Sequence, residues 1–227
     1  MANILAVGAH PDDVELGMGA TIAKLARLGH KVSLLDLTDG EPTPCGSKEK
    51  RRQESQRSAE ILGVEERITL DLPNRYLEDT VLARNELAIH IRRIRPEIIF
   101  CHFWEDRHPD HLAASKLTEA AVFYGKLVKS EISGEPWEAS KIYYFYAIHL
   151  RSNINPSFIV DVSQDFHKKL LALKSYKSQF IENEKNAFVF DYLKNQAQYF
   201  GYLIKRDYAE PFVSREGIGI NDIRDLI

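Results

Sequence analysis

The chain has 227 residues, of which 44% are hydrophobic and 28% are charged, and its formal net charge is −3. This balance is typical of a soluble enzyme-sized domain, and it lacks the basic surplus that a nucleic-acid partner requires. The chain also has no run of about 18 apolar residues and no signal-peptide pattern, so we expect a cytoplasmic protein with no membrane partner.

Short apolar runs alternate along the chain with segments of helical period. In chain order we predict a strand over 3–9, a helix over 15–29, a strand over 31–37, a helix over 47–62, a strand over 67–72, a helix over 80–95, a strand over 97–103, a helix over 110–127, strands over 141–147 and 157–162, and helices over 163–181 and 190–204. The residues after 204 are predicted to be irregular. The alternation predicts an α/β fold of one domain, 1–227, in three Rossmann-like α/β/α layers around a mostly parallel sheet.

Two motifs follow predicted strands directly. Residues 9–13 (AHPDD) come after the first strand, and residues 106–111 (DRHPDH) come after the fourth strand and open a helix. In α/β folds, functional side chains gather at the carboxyl ends of strands. Each motif alone could be structural, as a solvated turn or as a helix start. Their joint occurrence at two strand ends favours a shared site.

Three residues of the motifs suit a catalytic metal. Zinc in such sites usually takes three ligands from His, Asp or Glu and leaves one position for water. His10, Asp13 and His111 would supply that set. Zinc is the default metal, and iron(II) or another divalent ion also suits these ligands.

The remaining motif residues suit acid–base chemistry. Asp12 adjoins a ligand and would act as the general base toward the attacking water. His108 lies near the carboxylate of Asp110, which favours its charged form, so it could stabilise an oxyanion or protonate a leaving group. His102 and His149 follow predicted strands and could line the same pocket. Dinucleotide, phosphate-loop and nucleophile-elbow signatures are absent.

The paired motifs resemble the signature of the LmbE-like or PIG-L-like N-acetylglucosaminyl deacetylases. The resemblance covers nearly the whole chain and includes residues 8–19 (GAHPDDVELGMG) and 36–41 (DLTDGE). Four further stretches look like the bacillithiol-biosynthesis branch of the family, which releases acetate from N-acetylglucosaminyl malate. These stretches are 104–111, 156–161, 176–180 and 208–212.

The resemblance implies roles for eight residues. It implies a metal held by His10, Asp13 and His111, a base in Asp12, and an oxyanion-stabilising or proton-donating His108 with Asp110 as its carboxylate partner. Two arginines are candidates for binding the substrate: Arg51, which resembles an arginine that faces substrate in relatives, and Arg107, within the second motif. An ion pair with Asp106 or Glu105 is the structural alternative for Arg107.

The resemblance also implies a small N-acetylated sugar as substrate and a closed homo-oligomer, since relatives often form hexamers. Two alternatives stay open: a deacetylase of another N-acetyl sugar or small amide, and an inactive metal- or sugar-binding protein. Cys101 and His102 stand where smaller residues or proline are expected, so the pocket wall should differ there.

Overall fold

The computed structural model describes residues 1–150, 153, 155–220 and 222. Its strands are β1 (Asn3–Gly8), β2 (Lys31–Asp36), β3 (Glu66–Thr69), β4 (Ile98–His102), β5 (Lys141–Phe145), β6 (Phe158–Asp161) and β7 (Ala209–Val213). Its helices are α1 (Asp13–Arg27), α2 (Lys48–Leu62), α3 (Val81–Ile94), α4 (Pro109–Gly125), α5 (Phe166–Ser175), α6 (Lys177–Phe180) and α7 (Val189–Leu203). Among these helices, none combines the length and the apolar character that crossing a bilayer would need.

The seven strands form one sheet in the order β3-β2-β1-β4-β5-β7-β6. The first five strands of this order run parallel, and β7 runs antiparallel to both of its neighbours. The prediction of a mostly parallel sheet is therefore confirmed.

Alternate residues of strand β1 pack on opposite faces of the sheet. Ile4 and Ala6 belong to a core cluster that includes Met18 of α1. Leu5 and Val7 belong to a second cluster that includes Leu87 of α3. Both faces of the sheet are therefore covered by helices, which is why the strands read as nearly continuous apolar runs. This arrangement confirms the three-layer α/β/α fold class.

The prediction of irregular chain after residue 204 is wrong, because residues 209–213 form strand β7. Pro211 lies in its middle, and a residue without an N–H argues against a strand inside a sheet. The structure accommodates it because β5 pairs only with Phe212 and Val213, so Pro211 lies outside that ladder. The antiparallel pairing with β6 runs over all of 209–212.

The carboxylate of Glu210 on β7 caps the part of α1 that follows a kink. Met18 has non-helical dihedral angles (φ −148°, ψ 23°). Beyond it, Glu210 accepts hydrogen bonds from the backbone N–H groups of Ala20 (3.3 Å) and Thr21 (2.7 Å), as an N-cap would. The buried charge of Glu210 is paired with Lys169 at 2.6 Å. The missed strand thus supports the helix that carries the first motif.

The predicted helix over 163–181 is divided at Tyr176. The backbone there leaves the helical region (φ −79°, ψ 65°), so α5 ends and the short α6 begins. The Tyr176 side chain is fully buried, and its hydroxyl donates to Glu15 Oε1 at 2.8 Å. This turn brings Gln179 and Phe180 to the wall of the cavity described below.

Candidate active site

The two sequence motifs meet where the order of the parallel strands reverses. β1 and β4 are neighbours, and β2 lies on one side of this pair while β5 lies on the other. Such a switch point opens a crevice at the carboxyl ends of the strands, where α/β proteins bind ligands. Residues 10–13 follow β1, and residues 106–111 follow β4 and open α4. The structure therefore brings both motifs together, as the sequence predicts.

Asp13 lies at the centre of the resulting cluster and is buried at the start of α1. Its Oδ2 accepts the backbone N–H of His10 at 2.7 Å and lies 3.1 Å from His10 Nδ1, while its Oδ1 lies 3.2 Å from His111 Nε2. Burial would raise the pKa of the Asp13 carboxyl, but the imidazoles of His111, His102 and His10 hold this pKa well below its usual value. The charged Asp13 carboxylate therefore lies next to His10 Nδ1 and His111 Nε2, which are called the inner nitrogens of these histidines below.

The outer nitrogens of the same two histidines each face another carboxylate. His10 Nε2 lies 3.0 Å from Asp110 Oδ2, and His111 Nδ1 lies 3.0 Å from Asp106 Oδ2. A carboxylate in this position is the usual support of a metal-ligating histidine, because it fixes the tautomer and the ring orientation. Burial lowers the pKa of an imidazole, but the carboxylates here raise the pKa of His10 to about 10 and that of His111 to about 9. The cluster thus carries negative charge that a cation would offset.

Three groups of side chains within the described residues could hold a metal ion, since their ligand atoms lie within 4.8 Å of one another. In the group that includes His102, the rings of His102 and His111 stack at 4.1 Å with 17° between their planes. Because a ring nitrogen directs its lone pair in the ring plane, two stacked rings cannot both aim at one ion. In the group predicted from the sequence, His10–Asp13–His111, the inner nitrogens of both histidines lie next to the Asp13 carboxylate, and each outer nitrogen contacts another carboxylate. The three groups are His10–Asp13–His111, His10–His108–Asp110 and His102–Asp106–His111.

Asp12 lies beside this cluster in a strained backbone conformation, with φ at 104°. Its Oδ2 accepts a hydrogen bond from Arg51 Nη2 at 2.9 Å, and the same nitrogen donates to the Pro11 carbonyl. Burial raises the pKa of the Asp12 carboxyl to about 7, although Arg51 opposes that rise. A carboxyl group with a pKa near neutrality, next to a candidate metal site, suits acid–base catalysis.

Arg51 is buried and still has unused hydrogen-bonding capacity. Its guanidinium lies 5.5 Å from the centroid of the Tyr176 ring, and its Nε and Nη1 have no hydrogen-bond partner within the described part of the chain. The side chain also lines the cavity over the cluster. These two nitrogens are themselves buried, and the hydrogen bonds that Arg51 makes are those to Asp12 and to the Pro11 carbonyl.

The surroundings of His108 differ from the sequence prediction. Its Nδ1 accepts the backbone N–H of Asp110 at 3.2 Å, as the N-cap of α4. The Asp110 carboxylate instead contacts His10 and accepts the backbone N–H groups of Arg75 (2.7 Å) and Leu77 (3.3 Å). Burial and the neighbouring imidazoles lower the pKa of His108 to about 4. The prediction that Asp110 partners His108 is therefore corrected, because the Asp110 carboxylate supports His10. The lowered pKa of His108 favours its neutral form, with the proton on Nε2 because Nδ1 accepts a backbone N–H.

A cavity of about 280 Å³ lies over the cluster. Its floor consists of the residues from the two motifs: His10, Asp12, Asp13, His108 and His111. Its rim consists of the other lining residues: Leu16, Gly40, Pro42, Thr43, Arg51, Asn74, Arg75, Ile148, His149, Gln179, Phe180, Asn186 and Val189.

A second cavity of about 510 Å³ adjoins the first, and both are lined by His108 and His149. Arg107 lines the second cavity, where its exposed side chain lies near Phe188 and Tyr192. The ion pair that the sequence offered as an alternative for Arg107 is not found among the described residues; Asp106 pairs with His111 instead. His149 lines the pocket as predicted, whereas His102 is fully buried and lines neither cavity.

The sequence analysis missed several rim residues. Asn74 and Arg75 follow β3, and Arg75 has a φ of 69°. The Asn74 side chain donates to the Glu41 carbonyl at 2.9 Å, and Arg75 Nη2 donates to the Pro42 carbonyl. A Pro-Asn turn after the third predicted strand was the available signal, because loops at the carboxyl edge of a sheet form its ligand sites.

The chain is similar to proteins of one known family. Residues 5–122 match the family model described as PIG-L: GlcNAc-PI de-N-acetylase. The chain is 34% identical to the diacetylchitobiose deacetylase of Thermococcus kodakarensis over 221 residues, which cover 91% of this chain and 80% of the relative. The chain belongs to the PIG-L family, which confirms the resemblance seen in the sequence.

Solved structures share the fold over nearly the full length. The conserved protein TT1542 from Thermus thermophilus has a TM-score of 0.88 and 36% identity, covering 97% of each chain. The N,N'-diacetylchitobiose deacetylase from Pyrococcus horikoshii has a TM-score of 0.83 and 28% identity, covering 100% of this chain and 89% of that one.

Proposed function

We propose that this protein is a metal-dependent N-deacetylase acting on an N-acetylglucosamine conjugate, with N-acetylglucosaminyl malate as its substrate. The observation that carries the proposal is the floor of the cavity. There, two histidines supported by carboxylates face Asp13, and the acid–base candidate Asp12 lies beside them. The identity to a diacetylchitobiose deacetylase supports the same reaction class.

The metal would be held by His10, Asp13 and His111, whose donor set fits zinc and also iron(II). The chemistry that such an ion supplies is polarisation of the amide carbonyl and a lower pKa for water. Asp106 and Asp110 hold the two histidine rings in place. These contacts leave Asp12 outside the ligand set and free for proton transfer.

The protein's own groups then carry the protons. Asp12 accepts a proton from the water that attacks the acetyl carbonyl, while Arg51 holds its carboxylate in place. His108 presents Nε2–H, because its Nδ1 is occupied by a backbone N–H, and donates to the developing oxyanion. Asp12 then delivers the proton that it took from the water to the departing amine, which completes the release of acetate and the free amino sugar.

The malate conjugate is proposed because arginines flank both cavities. Malate carries two carboxylates, and a guanidinium binds a carboxylate through a two-pronged fork. Arg107 lines the second cavity with an exposed side chain, and Arg51 lines the first, where it also holds Asp12. The sugar would occupy the first cavity and its substituent the second.

A second substrate is favoured by the comparisons. Relatives with 34% and 28% identity are deacetylases of diacetylchitobiose, a substrate without carboxylates. The inactive-binder alternative has less support, because a protein that only binds has no need of Asp12 or His108.

The experiment is acetate release from three substrates: N-acetylglucosaminyl malate, N,N'-diacetylchitobiose and N-acetylglucosamine. Each reaction is run with purified protein, with chelator-treated protein, and after zinc or iron(II) is added back. We expect the malate conjugate to have the highest kcat/KM, and chelation to remove activity on every substrate. Equal kcat/KM for all three would refute the malate assignment. No release from any substrate would refute the deacetylase proposal.

We also propose that the protein forms a closed homo-oligomer in the cytoplasm, with a hexamer as the expected assembly. Light scattering at micromolar protein concentration measures the assembly directly. A particle of 26.0 kDa would show a monomer and refute this part of the proposal.

A further inference from the structure

His102 lies next to the floor and has no place in the proposed chemistry. It ends β4, its side chain is fully buried, and it does not line the cavity. One face of its ring packs against Phe145 at 4.7 Å between ring centroids, and the ring stacks on His111 at 4.1 Å. A buried imidazole in such a place needs a polar partner.

The polar partner is one of the candidate metal ligands. His102 Nε2 lies 3.1 Å from Asp13 Oδ2, and the backbone N–H of Ala9 points at the same nitrogen at 3.1 Å. Its Nδ1 has no hydrogen-bond partner among the described residues. With the proton on Nδ1, Nε2 accepts the Ala9 N–H but turns its lone pair toward the Asp13 carboxylate. With the proton on Nε2, the ring donates to Asp13, and Nδ1 and the Ala9 N–H are left without a partner among the described residues. The hydrogen bond to a carboxylate is roughly twice as strong as a neutral one, so it places the proton on Nε2.

This bond determines which oxygen of Asp13 is free. Asp13 Oδ2 accepts from the His10 backbone N–H at 2.7 Å and from His102 Nε2–H. Asp13 Oδ1 has neither of these bonds and lies 3.2 Å from His111 Nε2. The carboxylate is thus anchored through one oxygen and presents the other beside His111.

The stacking contact acts on the second ligand. The His111 ring lies between two others, His102 at 4.1 Å and His108 at 4.6 Å, with interplanar angles of 17° and 19°. Rotation of the His111 ring is therefore blocked on both faces. As argued above, a stacked ring cannot share an ion with its neighbour, so His102 is not itself a ligand.

We propose that His102 is a positioning residue of the metal centre: its Nε2–H anchors Asp13 while its ring fixes His111. The inference rests on the metal-binding part of the proposed function and not on the identity of the substrate. Loss of such a supporting bond typically weakens metal affinity by about 10- to 100-fold.

The test compares two variants of matched side-chain length. His102→Gln can place an amide N–H near the position of Nε2, whereas His102→Met fills a similar volume without a donor. The measurement is the zinc Kd of the folded apoprotein, by competition with a chromophoric chelator, together with the Tm of the apoprotein. We expect a Kd about 10- to 100-fold weaker for His102→Met, and one within about threefold of wild type for His102→Gln.

The controls separate positioning from stability. His90→Phe changes a half-buried histidine on α3 away from the cluster, and its zinc Kd should equal that of wild type. If His102→Met lowers the apoprotein Tm and leaves the Kd unchanged, His102 has only a structural role. If His102→Met does not fold, His102→Phe replaces it, because Phe also fills the space without a donor.

Two further outcomes would overturn the inference. A His102→Gln protein as weak in zinc binding as His102→Met would show that the N–H bond to Asp13 is not what matters. A wild-type protein that binds no zinc would remove the metal centre, and with it the role of His102. Acetate release plays no part in these measurements, so failure of the deacetylase proposal is detected separately.

Discussion

The floor and the rim of the cavity are built in different ways. Floor side chains bond to one another: His10 contacts Asp13 and Asp110, and Asp13 contacts His111. Several polar rim side chains bond to backbone carbonyls, as Asn74 does to Glu41 and Arg75 does to Pro42. A network of mutual side-chain bonds fixes a geometry, whereas loops with carbonyl contacts can vary in sequence around it. We infer that the floor performs the reaction and that the rim, with the second cavity, selects the substrate.

The largest effect should come from removing a floor ligand. His10→Ala, Asp13→Ala and His111→Ala should each lose stoichiometric metal and all measurable activity, because three protein ligands leave no spare. Elemental analysis of the purified variants measures the metal. A full metal complement in the His111→Ala protein would contradict the ligand assignment.

Asp12→Asn should separate the base from the ligands. The amide cannot accept a proton from water, so turnover should fall by about 10²- to 10⁴-fold while the metal is retained. Metal content and kcat are measured on the same preparation. Loss of metal together with activity would make Asp12 a ligand.

His108→Ala should cost about 10²- to 10³-fold in kcat, the usual loss for one oxyanion donor, and should leave the metal in place. His149→Ala is the matched control, since His149 lines the same cavity from the rim. Comparable kcat losses in both variants would contradict the division between floor and rim.

The revised partner of Asp110 predicts a metal phenotype. Asp110→Asn and Asp106→Asn should each weaken zinc affinity by about 10- to 100-fold, because each removes the carboxylate behind a ligand histidine. The measurement is a chelator competition. If Asp110→Asn kept wild-type zinc affinity and lost only turnover, the partnership with His108 predicted from the sequence would be restored.

The smallest effect should appear outside the floor. Arg107→Ala should lower kcat/KM for the malate conjugate about tenfold more than for N-acetylglucosamine, the value of one charged hydrogen bond. Arg51→Ala should reduce both substrates alike, because Arg51 also holds Asp12. Equal losses of kcat/KM on both substrates in the Arg107→Ala variant would show that Arg107 does not select the substrate.

The sequence predicts the floor well because its residues are local to strand ends. Apolar runs locate β1 and β4, and the types of the residues that follow these strands indicate candidate metal ligands and acid–base groups. The sequence does not show which carboxylate meets which histidine, since His10 and Asp110 are 100 positions apart and meet only in the fold. For the same reason it places His102 in the pocket wall, whereas the structure buries it behind Asp13.

Most rim residues and strand β7 were not predicted, for a different reason. Asn74 and Arg75 come from a loop whose sequence carries no periodic signal, and Gln179 lies on α6, which the sequence merges into one helix over 163–181. Pro211 argues against a strand over 209–213, and the pairing of β7 depends on β5 and β6, which lie far away along the chain. Tertiary contacts decide these segments, and local propensity does not.

A crystal structure of the zinc-loaded protein, with the ion located by its anomalous scattering, tests the metal assignment most directly. The account predicts one ion within coordination distance of His10 Nδ1, Asp13 Oδ1 and His111 Nε2, with Asp12 and His102 uncoordinated and Asp106 and Asp110 still on the outer nitrogens. An ion bound instead by His108 and Asp110, or one ligated by His102, would contradict it.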